Sequence, residues 1–178
     1  DGLRENPDGS VLQIPITCPK QDTALGIIER ITANWKAIGV AAKAEPVEQD
    51  RIMPILMQAQ FHVILHRLSL EEPEMAFFYF HSSCGTLRNG LVSGLNYAGY
   101  ANPQYDELVE ALQQARSVEE RQELSYKLQE VLAADLPQIP LYLPRVLNLY
   151  REDRFTGWST QPGVGLLSRT TIANLRAQ

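Results

Sequence analysis

Three histidines are the residues of this 178-residue chain best suited to bind a metal ion. His62 and His66 stand four residues apart in FHVILH, and His81 follows an aromatic block. The run FHVIL predicts a buried strand, in which a spacing of four places two side chains on one face but about 13 Å apart. One ion cannot join both imidazoles directly at that distance. The sequence therefore predicts no metal site, and it contains no H-E-x-x-H pattern.

Acidic and nucleophilic side chains also cluster, but without the patterns of a catalytic site. Glu71, Glu72 and Glu74 would need an enclosed cleft and one raised pKa to act as paired catalytic carboxylates, and a solvated loop is the simpler interpretation. The run SSC at 82–84 lacks a G-x-S-x-G elbow. The glycines between 85 and 99 match neither common phosphate-binding loop. We predict no catalytic residue and no cofactor.

Any site in the first part of the chain must be positioned by alternating strands and helices. Residues 11–17, 40–46 and 61–65 have the composition of strands. Helical periodicity covers 23–38, and 50–58 is a second helix that Pro54 limits or kinks. This order predicts right-handed crossovers, and hence a mainly parallel sheet with helices 23–38 and 118–134 packed against it.

The second part of the chain predicts a helix pair after a long irregular stretch at 69–96. Asn102 and Pro103 are typical of a helix start. Ser117 and Glu120 form a capping box for a second helix, which Pro137 ends. Beyond it we expect extended segments at 139–143 and 146–150, and a short strand-like run at 170–173.

Composition excludes some partners. The net charge of −5 and the isoelectric point near 5.2 argue against a nucleic-acid surface, which needs clustered Lys and Arg. No apolar run approaches the roughly 20 residues that span a membrane. The opening DGLRENPDGS has no signal-peptide pattern, and its abrupt start indicates a cut chain. Cys18 and Cys84 are either a single bridge or two unrelated thiols.

Four stretches, taken in order, resemble one family of binding proteins. They are IERITANWKAIGV, FHVILHRLSLEEPEMAFFYFHSS, LNYAGYANPQYDELVEALQQA and SVEERQELSYKLQEVLAADLPQIPLY. Together they are similar to the peptide/nickel class of extracellular solute-binding proteins, the capture subunits of ABC importers. The last stretch is the most specific, and its matching positions are Arg121, Gln129, Asp135, Pro137, Ile139, Pro140, Leu141 and Tyr142.

The resemblance implies an α/β fold, one lobe of a type II periplasmic-binding-protein-like fold with a mainly parallel sheet flanked by helices. Family members have two lobes and more than twice this length. We therefore expect a C-terminal ligand-binding lobe at 1–151 and a tail at 152–178 that crosses back to the missing N-terminal lobe. The implied partners are a small-molecule or peptide ligand and an ABC permease, with export to the periplasm or, as a lipoprotein, to the cell surface. No catalysis is implied.

The expected ligand cleft involves four residues. In open α/β sheets ligands bind beyond the carboxyl ends of the strands, so the strand at 61–65 directs His66, Arg67 and Ser69 towards the cleft. Tyr142 is a candidate second wall, with packing as its alternative role. For Arg67 the alternative is a surface side chain.

Ser69 bears on the ligand class. In the peptide-binding members, an aspartate four residues before the proline of the acidic turn pairs with the peptide's α-amino group. Counted back from Pro73, that position is Ser69, unless the alignment slips and Glu71 or Glu72 substitutes. A neutral hydroxyl cannot offset a desolvated ammonium. The substitution favours sugars, acylated peptides or metal chelates.

Two other classes of protein stay open. An α/β hydrolase-like enzyme would need a nucleophile and a base within hydrogen-bond reach. A protein-interaction module would use the aromatic block at 77–80, for which we otherwise expect burial of two or three rings. Permease and ATPase genes beside this one would favour transport over both.

Overall fold

The computed structural model describes residues 2–68, 73–143, 148–160, 165–166 and 168–177. Two compact units make up the chain. The first comprises Asp1–Leu68 and Phe78–Pro103, and the second comprises Ser69–Phe77 and Gln104–Gln178. The expected division, a lobe at 1–151 followed by a tail at 152–178, has a different boundary from these two units. It stays a prediction.

A three-stranded parallel sheet forms the centre of the first unit, which confirms the predicted α/β class. Strand β1 (Gln13–Pro19) pairs along its whole length with β2 (Ala41–Val47) and, on its other side, with β3 (Val63–Ile64), so the order is β2-β1-β3. Strand β3 has two residues where the sequence predicted five. The Leu65 amide nevertheless donates to the Thr17 carbonyl at 2.8 Å, which continues the pairing direction towards the carboxyl edge.

Helices α1 (Asp22–Ala37) and α2 (Gln49–Met57) supply two separate apolar clusters beside the sheet. Ile16, Cys18 and Ile28 form the first cluster, with Val63 and Leu65 packed against it. Ile52 and Leu56 of α2 belong to the second, against which Ile64 packs. Successive β3 residues thus join different clusters, because side chains alternate between the faces of a strand. Both helices match their predicted spans within one residue, although Pro54 lies inside α2.

Residues 81–97 form a compact loop, whereas the sequence predicts an irregular stretch over 69–96. Helix α3 (Met75–Phe80) leads into it, with its last three residues in the first unit. A 3₁₀ turn at Ser82–Cys84 follows, and then a hairpin of β4 (Leu87–Arg88) and β5 (Leu91–Val92). Asn89 and Gly90 both have positive φ, which is typical of the tight turn that an Asn-Gly pair favours.

Asn96 closes this loop as a fully buried hydrogen-bond centre. Its Nδ2 donates to the carbonyls of His81 at 3.1 Å and Tyr100 at 2.8 Å, and its Oδ1 accepts from the Tyr100 amide at 3.0 Å. The loop is packed so closely that a Cβ on Gly94 would lie 2.6 Å from the Cβ of Cys84. The sequence did not predict this centre.

Helices α4 (Pro103–Gln114) and α5 (Val118–Asp135) confirm the predicted pair. Ser117 caps α5, since its Oγ accepts from the Glu120 amide at 3.1 Å. The Glu120 carboxylate accepts from the Arg116 amide at 3.0 Å, one residue earlier than in the expected capping box. Leu136 takes a left-handed conformation and ends the helix before Pro137. The packing of α5 on the sheet stays a prediction.

The final described residues fold on one another within the second unit. Strands β6 (Phe155–Thr156) and β7 (Arg176–Ala177) pair antiparallel. The strand-like run predicted at 170–173 is wrong, because helix α6 (Arg169–Asn174) occupies it. The Ser168 Oγ accepts from the Thr171 amide at 3.1 Å, and this cap outweighs the β propensity of the threonines.

The cysteines and the apolar tail residues have distinct environments. Cys18 and Cys84 are free, buried thiols. Among the apolar residues of the tail, Leu166 is buried and the Trp158 ring lies 5.3 Å from that of Tyr150. Ile172 is exposed, and Leu167 lies outside the described residues.

Candidate functional site

The carboxyl edge of the sheet is the candidate site of the first unit. In the order β2-β1-β3, the chain runs from β1 to its neighbour on one side, β2, and then past β1 to its neighbour on the other side, β3. Neighbouring strands whose connections diverge in this way leave a crevice at their carboxyl ends, where open α/β sheets bind ligands. Lys20 and Gln21 follow β1 at this edge, and His66 and Arg67 follow β3 by two and three residues.

His66 is held between an aromatic ring and the backbone of the next residue. Its ring meets that of Tyr97 edge to face, with centroids 6.4 Å apart and planes at 82°. Its Nδ1 lies 3.2 Å from the carbonyl oxygen of Arg67. Burial lowers the pKa of His66 from its ordinary value, because a half-buried ring disfavours the charged form, and the bond to Arg67 opposes this shift. The site therefore presents a neutral imidazole at pH 7.

Tyr97 anchors this arrangement, and no pattern in the sequence predicts this role. Tyr97 is buried in the cluster of Ile52, Leu56 and Val92. Burial, together with the nearby Tyr79, raises the pKa of its phenol. A ring fixed by a packed core gives His66 a defined orientation, which a ligand site requires.

The polar side chains beside β1 and β2 pair with one another. Lys20 Nζ lies 3.1 Å from a carboxylate oxygen of Glu48, and Gln21 donates to the amide oxygen of Gln49 at 3.0 Å. Both pairs are exposed, and such an ion pair contributes about 0–1 kcal/mol to stability. Arg67 is exposed and has no carboxylate partner among the described residues. The guanidinium group of Arg67 can meet an anionic ligand group at this edge.

The structure describes three of the four residues predicted for the cleft. His66 and Arg67 lie at the expected edge of the sheet. Ser69 lies outside the described residues. Tyr142 belongs to the second unit, where its side chain is 58% exposed. That these four residues line one cleft stays a prediction.

The histidines and acidic residues that the sequence offered for metal binding or catalysis have other local contacts where the structure describes them. The described residues hold no group of three side chains that could ligate a metal ion. His81 Nδ1 accepts from the Ser83 amide at 3.1 Å as well as contacting the Ser83 Oγ at 2.8 Å, which is the geometry of a helix cap. Glu74 forms an ion pair with Arg121, whereas Glu71 and Glu72 lie outside the described residues.

Solved structures resemble this chain over much of its length. A periplasmic oligopeptide-binding protein of Thermotoga maritima, bound to mannohexaose, covers 100% of the chain at 23% identity and a TM-score of 0.74. The oligopeptide-binding protein AppA of Bacillus subtilis, in complex with a nonapeptide, covers 77% at 21% identity and a TM-score of 0.67. NikZ of Campylobacter jejuni, in complex with Ni(L-His), covers 76% at 18% identity and a TM-score of 0.60.

The chain has the fold of part of these binding proteins. It spans 36%, 26% and 28% of their respective lengths. Protein-family models and curated proteins gave no match. The resemblance inferred from the sequence is thus confirmed at the level of the fold. Among the described residues, no helix is both long and apolar enough to cross a membrane.

Proposed function

We propose that this chain is part of the solute-binding subunit of an ABC importer, which captures a small solute and delivers it to a membrane permease. The single observation that carries the proposal is the likeness of the whole chain to a periplasmic binding protein at a TM-score of 0.74. The polar carboxyl edge of the sheet supports it, since His66 and Arg67 stand where open α/β sheets bind ligands. On this proposal the protein is exported and is not an enzyme.

A second lobe completes the binding cleft in this proposal. Support comes from the segment after α5, of which the structure describes residues 137–143 and 148–150. Leu143 and Leu149 are 95% and 97% exposed there, and Tyr142 and Tyr150 are exposed as well. Apolar side chains of this density are typical of a surface that another part of the protein covers. Tyr142 then becomes a wall of the cleft, as the sequence resemblance implies.

The solute class follows from charge and from what similar proteins bind. The three similar structures hold a hexasaccharide, a nonapeptide and a nickel chelate, so the fold alone does not select one class. Arg67 offers a cation for an anionic group. Ser69 supplies no carboxylate for a free α-amino group, so we favour a sugar, an acylated peptide or a metal chelate over an unblocked peptide.

The first experiment compares the 178-residue chain with the complete polypeptide that its gene encodes. Mass spectrometry under native conditions should find a co-purified small molecule on the complete polypeptide. Calorimetry with that molecule should give micromolar or tighter binding, about −8 kcal/mol, because a clamp encloses most of the ligand. The 178-residue chain alone should bind more weakly than micromolar. Tight binding by this chain alone would contradict the two-lobe proposal.

The second experiment tests the role given to Ser69. Tetra-alanine and N-acetyl-tetra-alanine are titrated into the complete polypeptide and into its Ser69→Asp variant. We expect the original protein to show no preference for the free amino terminus. The Ser69→Asp variant should gain such a preference, because a carboxylate can pair with the ammonium group. Binding by the original protein that acetylation abolishes would show that another acid performs this task.

A further inference from the structure

The hydrogen bond of His66 defines which ring nitrogen carries its proton. A backbone carbonyl only accepts, so the Nδ1 that lies 3.2 Å from the Arg67 oxygen must be the protonated nitrogen. In a neutral imidazole the other nitrogen then has an unshared electron pair. Nε2 of His66 is therefore a hydrogen-bond acceptor.

No described residue occupies this acceptor. Nε2 has no hydrogen-bond partner among the described residues. Within the same part of the chain, every buried side-chain nitrogen or oxygen has a partner. The described residues therefore do not enclose Nε2 as an unpaired buried atom, although the rest of the ring is half-buried.

Two neighbours restrict what Nε2 can accept. The edge-to-face contact with the buried Tyr97 holds the imidazole in one orientation, so the acceptor is fixed before a ligand arrives. Arg67 is next in the chain and has no carboxylate partner in the described ranges. Its positive charge disfavours an ammonium group at the same place.

We propose that Nε2 of His66 accepts a hydrogen bond from an uncharged hydroxyl or amide group of the solute. This inference rests on the proposed function and deepens it, because it makes His66 a specificity-determining residue for solutes rich in neutral donors. Sugars and peptide backbones belong to that class, whereas simple amines and other cations do not.

The tautomer is the first test, and it needs no ligand. Long-range proton–nitrogen correlation spectra of the 178-residue chain at pH 7 report which imidazole nitrogen is protonated. We expect hydrogen on Nδ1 of His66 and none on Nε2. A proton on Nε2, in either the other tautomer or the imidazolium, overturns the proposal.

Binding is the second test, made on the complete polypeptide with mannohexaose and tetra-alanine as probes. His66→Phe keeps a ring against Tyr97 but removes the acceptor, and should weaken binding of either probe by roughly three- to tenfold, the value of one neutral hydrogen bond. His66→Gln keeps an acceptor near the ε position and should lose less than twofold. His62→Phe, a change at an exposed histidine of the same segment, should bind as the original protein does.

The outcomes separate this inference from the function on which it rests. Undiminished binding of a probe by a folded His66→Phe variant, checked by circular dichroism, overturns the role of His66 and leaves the transport proposal intact. Equal weakening in His66→Phe and His66→Gln would also overturn this role, because the acceptor that Gln keeps would then contribute nothing to binding. Binding of neither probe by the original protein would contradict the proposed preference for neutral donors and leave the transport proposal intact.

Discussion

The parallel sheet and the segment after α5, of which the structure describes residues 137–143 and 148–150, have similar apolar residues in opposite surroundings. In the sheet, Ile16 is 1% exposed and lies between α1 and the neighbouring strands. In the segment, Leu143 and Leu149 are almost fully exposed. The sheet buries Ile16 in its own cluster, whereas the two leucines of the segment have no such cover among the described residues. This contrast indicates that burial of apolar side chains stabilises the sheet, whereas Leu143 and Leu149 contribute no such burial within the described part of the chain.

The largest expected difference comes from the same kind of truncation in the two regions. Ile16→Ala should lower the free energy of unfolding by about 2–5 kcal/mol, because it removes a fully buried side chain and leaves a cavity. Leu149→Ala should change it by less than about 0.5 kcal/mol, since its side chain is already in solvent. Urea unfolding of the 178-residue chain measures both. Equal losses would mean that the segment is part of the folded core.

A smaller effect should separate two glycines within the first unit. Gly94→Ala places a Cβ 2.6 Å from that of Cys84 and 3.0 Å from its backbone, and should destabilise the protein by about 1–3 kcal/mol. Gly26→Ala is the matched control, because this glycine is on the exposed face of α1 with open space around it. It should stabilise the helix by about 0.5–1 kcal/mol. A neutral Gly94→Ala in thermal or urea unfolding would show that the 81–97 loop can open at little cost.

The smallest effect concerns pH and the edge of the sheet. The folded-state pKa of His66 lies below its ordinary value of 6.5, so the unfolded chain takes up the proton first as pH falls. Stability from this group is complete above about pH 6.5 and decreases as pH falls from there towards the lower folded-state pKa. Urea midpoints at pH 7.5 and 5.5 should therefore differ less in His66→Phe than in His62→Phe. An identical difference in both variants would contradict the buried setting of His66.

Local signals in the sequence were sufficient to predict most of the regular elements. Helix α5 begins at a capping sequence, and α4 begins at Asn102–Pro103, because both starts depend on residues within one turn. The order of strand and helix periods likewise predicted a parallel sheet. The strand predicted at 170–173 is wrong because two local signals conflict there: the cap at Ser168 favours a helix, whereas the threonines favour a strand. Only the packed structure shows that the helix prevails.

By itself, the sequence determined that this is an α/β protein and that His66 and Arg67 follow a strand of its sheet. The tertiary structure alone decided that β1 is the central strand, which places the residues after β1 and β3 at one crevice. It also decided that Tyr97, 31 positions after His66, orients that histidine, and that Asn96 closes the loop carrying Tyr97. These contacts join residues far apart in the chain. Their energies depend on burial and on packing around them, which no local pattern of residues records.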